Sequence, residues 1–575
     1  MNEVEVHNSL LYFLRSHSEP RWPHHLTMGR LVARALRLGR SALIQTGFSP
    51  SDRYQRYRVS YLMPLLMWPK PAVLVASASL QQHLLKVEIP RLQQWLQTKK
   101  PIHTYPCPPD FEGLLLIEPK SWLEDRLRAE KRLPNGIPTV IDGADDLEAW
   151  TRDRLTVCLE PGDWNQLMQQ YPHQSELIRD TRVQLTRALF QHPVNPYKCC
   201  LLEVAEQDIV NRLYQEIWGA EGQGSGGAGG QGGRGDGGDE GDGGDEGDGG
   251  DGGDEGDGGD GGDEEVKSNL SSPSSPSSPS PPLPRSPAPH LPRSPAPHPW
   301  SNFWQGWQSD NQLRWAEISR SQGSFSLYCT PVDVAGALSK IWLKQPVVLV
   351  GGALDLDPKA LIYRQAVGLP DITCVKFSPD RHSELIQLYV PDRLPMPNTP
   401  QFQGAVIQEI RTMLCMSASV PGLAVLLIGD VPLKAQVGAI FASEFGSRVQ
   451  VEKTDLDENG ILVTGWEFWR EHQGKLPVPY MLAIATLPLP SLENPLVAAR
   501  VAYYKEQRKD WFRQYLLPEA LNELQRAIAP VRERQGVVAL FDSRVLHRSY
   551  GNQVLAALSP LARIDYLDTT WLTQA

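Results

Sequence analysis

The chain has 575 residues, with 56 Lys and Arg against 67 Asp and Glu and a formal net charge of −11. Hydrophobic residues make up 41% and charged residues 21%, the balance of a globular protein, and the absence of a run of about 18 apolar residues excludes a membrane-spanning helix. Seven cysteines, at 107, 158, 199, 200, 329, 374 and 415, are too scattered for a disulfide framework. With a start, MNEVEVHNSLLYFLRSHSEP, that lacks the features of a secretory signal, this points to a reducing, cytoplasmic setting.

On the helix after Thr27, Arg30, Arg34 and Arg37 form one stripe and Leu31, Ala35 and Leu38 another. A phosphate-facing role and the solvated face of an amphipathic helix both fit, the second being the commoner. The apolar runs PAVLVASAS (from Pro71), GLLLIE (from Gly113) and TVIDGA (from Thr139) read as buried strands. A helical pattern with Leu80, Leu84 and Leu85 separates the first two, so a parallel sheet covered on both faces is predicted. From Leu147 to Trp218 the pattern is strand-poor and helical. The adjacent Cys199 and Cys200 lack metal-ligand spacing and read as packing residues.

The composition then changes. Between Gly219 and Glu265 lie 25 of the chain's 48 glycines, and Glu221 to Glu265 holds 16 acids and one base, Arg234, for a net −15. Taking −15 from −11 leaves the remainder at +4, so the overall acidity says nothing of the folded surface. A Pro/Ser tract with two copies of LPRSPAPH follows. Neither half can bury enough apolar surface to offset chain entropy, and a disordered linker is predicted. It reads either as an acidic mimic of nucleic acid or, more plainly, as an insertion tolerated in a surface loop.

Trp300, Trp304 and Trp307 recur at helical spacing, which suits base stacking or, more commonly, core packing. Downstream, PVVLVGG (from Pro346), AVLLIGD (from Ala424), MLAIATL (from Met481) and GVVALFD (from Gly536) repeat the buried-strand pattern. The prediction is therefore α/β with two parallel-sheet lobes. Lobe one covers 1–146, a helical insertion 147–218, the linker 219–299, a helical return segment 300–325 and lobe two 326–575.

The order of these segments resembles the DinG branch of XPD-like DNA helicases. GRSALIQTG followed by YRVSYLMPLL resembles that family's first strand, phosphate loop and helix, and VLVASASLQQHLL its next, DNA-contacting motif. The stretch from Leu487 to Ile528 and the closing GVVALFDSRVLHRSYGNQVLAAL resemble the end of the second lobe. The resemblance implies two RecA-like lobes, ATP and Mg²⁺ as cofactors and single-stranded or branched DNA as partner. Of the motif positions, it implies Ser77, Ser79, Gln81 and Trp469 as nucleic-acid contacts, Asp142 as the Mg²⁺ ligand if ATP binds, and Arg532 as the transition-state arginine.

Several residues depart from that pattern. A phosphate loop needs small residues for close backbone approach, a Lys for charge and a Ser or Thr for Mg²⁺. Counting back from Tyr61, the Gly, Lys and Ser/Thr positions hold Arg56, Tyr57 and Arg58, in a loop longer than the family's. Thr46, Gly47, Arg58 and Asp142 are what remains to hold a nucleotide. Arg53, Arg56 and Arg58 could grip phosphate as fixed cations, but they cannot form the backbone cradle. The Asp-Glu-Ala-His motif reads Asp142-Gly143-Ala144-Asp145, without the Glu that activates water. A general base contributes about 100- to 10,000-fold.

His25 stands at the adenine-reading Gln, and Gly351-Gly352-Ala353 at the lobe-coupling Ser-Ala-Thr. Phe468-Trp469-Arg470-Glu471-His472-Gln473 keeps the family's aromatic pair and loses its acids. In the last motif Ala529 replaces one Arg and Arg532 retains the other. Of the four cysteines an iron–sulfur cluster needs between the first two motifs, only Cys107 is there, so no cluster is expected. Two readings follow. One is a pseudo-helicase that binds nucleic acid with impaired ATP hydrolysis; the other is an active ATP-dependent DNA helicase of repair or replication.

Overall fold

The computed structural model describes residues 1–17, 22–47, 57–106, 108–127, 132–219, 299–352, 354–378, 385–418 and 420–564. The predicted linker falls almost wholly outside them, as do Arg53, Arg56, Cys107 and Ala353.

The first sheet holds β1 (Ala42–Gln45), β2 (Ala72–Val75), β3 (Ile102–Thr104), β4 (Leu114–Ile117) and β5 (Thr139–Asp142). The insertion carries β6 (Val157–Leu159), β7 (Cys199–Leu201), β8 (Gln312–Ser319) and β9 (Ser324–Pro331). Then come β10 (Val347–Gly351) and β11 (Thr373–Lys376), followed by β12 (Ile386–Tyr389), β13 (Leu423–Leu427), β14 (Val449–Val451) and β15 (Ile461–Thr464). The last three are β16 (Pro479–Ile484), β17 (Val537–Leu540) and β18 (Leu561–Ile564).

Lobe one is a parallel sheet in the order β11-β1-β10-β5-β2-β4-β3, and lobe two a parallel sheet in the order β14-β15-β13-β16-β17-β12-β18. The central strands β1, β2, β4, β5, β10, β13, β15, β16 and β17 are buried at every residue. Burial on both faces is why their runs are continuously apolar rather than alternating. Separate apolar clusters cover the two faces of each sheet.

Two corrections to the predicted domains follow. The strand from Pro346, assigned to lobe two, lies inside lobe one, with Ala42 opposite Val348 and Val347 opposite Thr139. β11 joins the outer side of β1. Lobe one is thus discontinuous, and residue 326 is no lobe boundary. An apolar run states that a strand is buried and not which sheet buries it.

The insertion and return segments, predicted as helical, also contain an antiparallel sheet, β6-β9-β8-β7. In β8 and β9, Ala316, Ile318, Phe325, Leu327 and Cys329 are buried and alternate with more exposed residues, the period-2 signal of a half-covered sheet. Cys199 and Cys200 are buried in β7, where desolvation pushes both thiols up, Cys200 to about 12. Trp300, Trp304 and Trp307 are core residues on the helix Pro299–Trp307. The Trp300 ring meets Trp164 edge-on at 5.0 Å, and its indole N–H donates to the Asp163 carbonyl. No base can reach these faces.

The arginine stripe of the helix His25–Leu38 is exposed, with Arg37 paired to Glu3 at 2.7 Å. No helix of the described residues is long and apolar enough to cross a membrane.

Candidate nucleotide and nucleic-acid sites

In open parallel sheets, ligands bind beyond the carboxyl ends of the strands. Thr46-Gly47 and Asp142 reach that edge from β1 and β5, which flank β10. Thr46 is fully buried; its N–H donates to the Gly351 carbonyl at 2.8 Å and its hydroxyl to the same oxygen at 3.2 Å. Gly47 N–H donates to Gly352 O at 2.9 Å. These two amides continue the strand pairing and so do not face a phosphate.

Asp142 ends β5 beneath the helix Arg58–Met67. That helix is buried on all sides except at its last residue, so the polar side chains at Tyr57, Arg58 and Tyr61 must find partners inside the protein. All three find Asp142. Tyr57 Oη donates to Oδ1 at 2.8 Å, Tyr61 Oη to Oδ2 at 2.7 Å and Arg58 Nε to Oδ2 at 3.1 Å. The Arg58 and Asp142 side chains are 6% and 1% exposed.

Burial works against the Arg58 charge, but the surrounding tyrosines and Asp142 hold the guanidinium above its ordinary range. Burial, then the Asp142 charge, pushes both tyrosines well up, so they stay protonated donors. Both carboxylate oxygens are thereby engaged by the chain itself, and a permanent cation lies against the carboxylate where Mg²⁺ would be held. This set of residues does not fit a magnesium nucleotide.

The neighbouring acids are committed elsewhere. Gly143, at the missing Glu, has φ 85°, and a Cβ there would come within 3.2 Å of the Trp150 ring. Asp145 accepts from Gly352 N–H through both oxygens, at 2.9 and 3.0 Å, which ties the ends of β5 and β10 together. His25 is buried and its Nδ1 pairs with Ser60 Oγ at 2.9 Å.

Arg532 lies in the helix Leu517–Glu533, and its guanidinium donates to the carbonyls of Leu558, Ser559 and Pro560 within lobe two. Arg526, six residues earlier, is the arginine of this helix that reaches lobe one, at Asp146. Arg532→Ala is expected to cost about 1.5 kcal/mol, the low end for hydrogen bonds from a charged group because this one is partly exposed. Denaturant unfolding would measure the loss, with nucleic-acid affinity of the folded protein unchanged.

Among the residues expected at nucleic acid, Ser77 and Ser79 are exposed where β2 turns into the helix Ala78–His83. Ser77 Oγ accepts from Leu80 N–H at 3.4 Å. Gln81 is buried and donates to Ala76 O at 2.8 Å, so it shapes the turn. Trp469 is 1% exposed and its indole N–H donates to Ala527 O at 3.1 Å. It is a core residue of lobe two and presents no face to a base.

The two tyrosines on Asp142 were not anticipated. Their signal was present: phenol rings at i and i+4 at the start of a helix that is buried and mostly apolar. Among the described residues no group of three or more His, Cys, Asp or Glu is placed to hold a metal ion.

The fold is α/β with two parallel-sheet lobes, and comparison with known proteins finds helicases among those it is similar to. Residues 480–561 match the helicase C-terminal domain family. The chain is 26% identical over 257 residues to the ATP-dependent DNA helicase YoaA of Haemophilus influenzae, covering 42% of this chain and 39% of that protein. It is 23% identical over 256 residues to the Escherichia coli YoaA, covering 42% and 40%. It thus spans about two-fifths of the length of these curated relatives. Among solved structures, S. tokodaii Xpd4 matches with a TM-score of 0.54 at 11% identity, covering 94% of this chain and all of that one. The chain thus shares the fold of an XPD-type structure and is similar, over residues 480–561, to the helicase C-terminal domain.

Proposed function

We propose that this protein is a helicase-derived nucleic-acid-binding protein in which the fuel site has become part of the core. The observation that carries the reading is the saturation of Asp142 by Tyr57, Arg58 and Tyr61. A Mg²⁺–triphosphate would have to displace a buried guanidinium from a buried carboxylate, leaving both without their partners. Even if that happened, no carboxylate stands at Gly143 to activate water. Turnover would then lack the contribution of a general base, about 100-fold or more.

The nucleic-acid half rests on the family likeness and on the exposed Ser77 and Ser79 at a strand-to-helix junction. Exposed hydroxyls and turn amides there suit a phosphate backbone. Single-stranded or branched DNA is the proposed partner.

The test is a pair of measurements on the full chain. Single-stranded-DNA-stimulated ATPase activity is expected to lie at background in both the wild type and Asp142→Ala. Robust stimulated turnover abolished by that substitution would establish the active helicase instead. A titration with single-stranded DNA at two salt concentrations is expected to show affinity falling as salt rises, because bound phosphates release counterions. Absent or salt-independent binding would refute the nucleic-acid half.

A further inference from the structure

Directly after β5, lobe one presents Asp146 at the end of the turn Ala144–Asp146 and Glu148 in the helix Leu147–Leu155, which the sequence assigned to the insertion but whose Leu147 and Trp150 pack in the core of lobe one. Arginines of lobe two meet both. Arg526 lies 2.6 Å from Asp146 Oδ1. Arg500, on the helix Pro495–Glu506, lies 2.8 Å from Glu148 Oε1 and 3.2 Å from Glu519 of its own lobe. Arg152 of lobe one shares Glu148 at 2.6 Å. The Arg500 guanidinium is stacked 3.9 Å from the centroid of Tyr515, whose ring stacks in turn on Tyr504.

These pairs are not the loose ion pairs of a protein surface. The side chains of Arg500 and Arg526 are only 10% and 12% exposed. Burial disfavours the Glu148 charge, but Arg152 and Arg500 outweigh it and hold the carboxyl below its ordinary range. Removing one partner would leave a charge in poor solvent, which is where ion pairs matter most.

The position of the pairs gives them meaning. In a nucleotide-driven two-lobe protein, the anion that draws the arginines of the second lobe toward the first is the bound phosphate, so closure follows the ligand. Here the acids just beyond Asp142 supply that negative charge permanently, and Arg526 is already bound to one of them.

We infer that Asp146–Arg526 and the Arg152–Glu148–Arg500 group form a built-in latch that keeps the lobes closed without nucleotide, so nucleic acid is bound in one fixed arrangement. This rests on the proposed function for the lack of a nucleotide cycle and adds what replaces it. A ligand with equal affinity for two arrangements shifts neither, so nucleotide has no hold on this interface.

Hydrogen–deuterium exchange of the full chain tests the latch, with and without Mg·ATP, alongside equilibrium dialysis for nucleotide binding. In the wild type, exchange over 144–155, 495–506 and 517–533 is expected to be the same with and without Mg·ATP. Asp146→Asn with Glu148→Gln is expected to raise exchange there by about tenfold or more, a local opening, while 139–142 and 423–427 stay protected and show that both lobes are folded. The charge swap Asp146→Arg with Arg526→Asp is expected to restore protection, which a merely space-filling role would not do. Unchanged exchange in the neutralised variant, or a swap that stays open with both strands protected, overturns the latch alone. Mg·ATP that binds and changes exchange at these segments overturns the latch and the proposed function together.

Discussion

Arg58→Met is expected to lower the unfolding free energy by about 3–5 kcal/mol, the range for stripping one partner from a buried ion pair. The loss comes from Asp142: its side chain is 1% exposed, and without the guanidinium its charge keeps only the hydroxyls of Tyr57 and Tyr61. Asp142→Asn is expected to be comparably harmful, because the buried Arg58 then loses its anion. The double substitution Arg58→Met with Asp142→Leu is expected to cost well under the sum of the single changes, since an apolar pair of similar volume replaces the ion pair without stranding a charge. Urea unfolding of the three variants measures this. Additive losses would mean that the two groups are not coupled, and with that the argument for a self-filled site would fail. None of the variants is expected to gain ATPase activity, because the missing Glu is independent of Arg58.

Trp469→Ala is expected to destabilise lobe two by about 3–5 kcal/mol, the usual cost of deleting a large aromatic from a packed core. The ring is 1% exposed and fastens the helix Trp466–His472 to the helix Leu517–Glu533 through its bond to Ala527 O. Nucleic-acid affinity, measured at a temperature where the variant remains folded, is expected to be unchanged. A selective loss of affinity with stability intact would place the ring at the groove after all. The substitution separates two roles that the aromatic pair Phe468-Trp469 carries equally well on paper.

The parts of the site legible in the sequence were the absences. That Tyr57 and Arg58 stand at the Lys and Ser/Thr positions, and Gly143 at the Glu, is what the resemblance implies when its motifs are laid on the chain. What the bulky replacements do instead was not legible. Tyr57 and Tyr61 reach Asp142 across some eighty positions of sequence, and nothing in their local pattern names a partner. Arg532 and Arg526 pose the same problem in reverse. Both lie on one helix, and which of them faces lobe one depends on how that helix rolls against β16 and β17.

From the chain alone come two parallel-sheet lobes, their buried strands and a stretch too polar to build a core. All of these are set by local composition and period, which act within a few residues. Only the tertiary structure decided that β10 and β11 return to lobe one, that the insertion holds an antiparallel sheet, and that Asp142 is held by its own protein. Those outcomes depend on which distant groups meet when apolar faces are buried and polar atoms must be satisfied, and that choice is made by the fold as a whole.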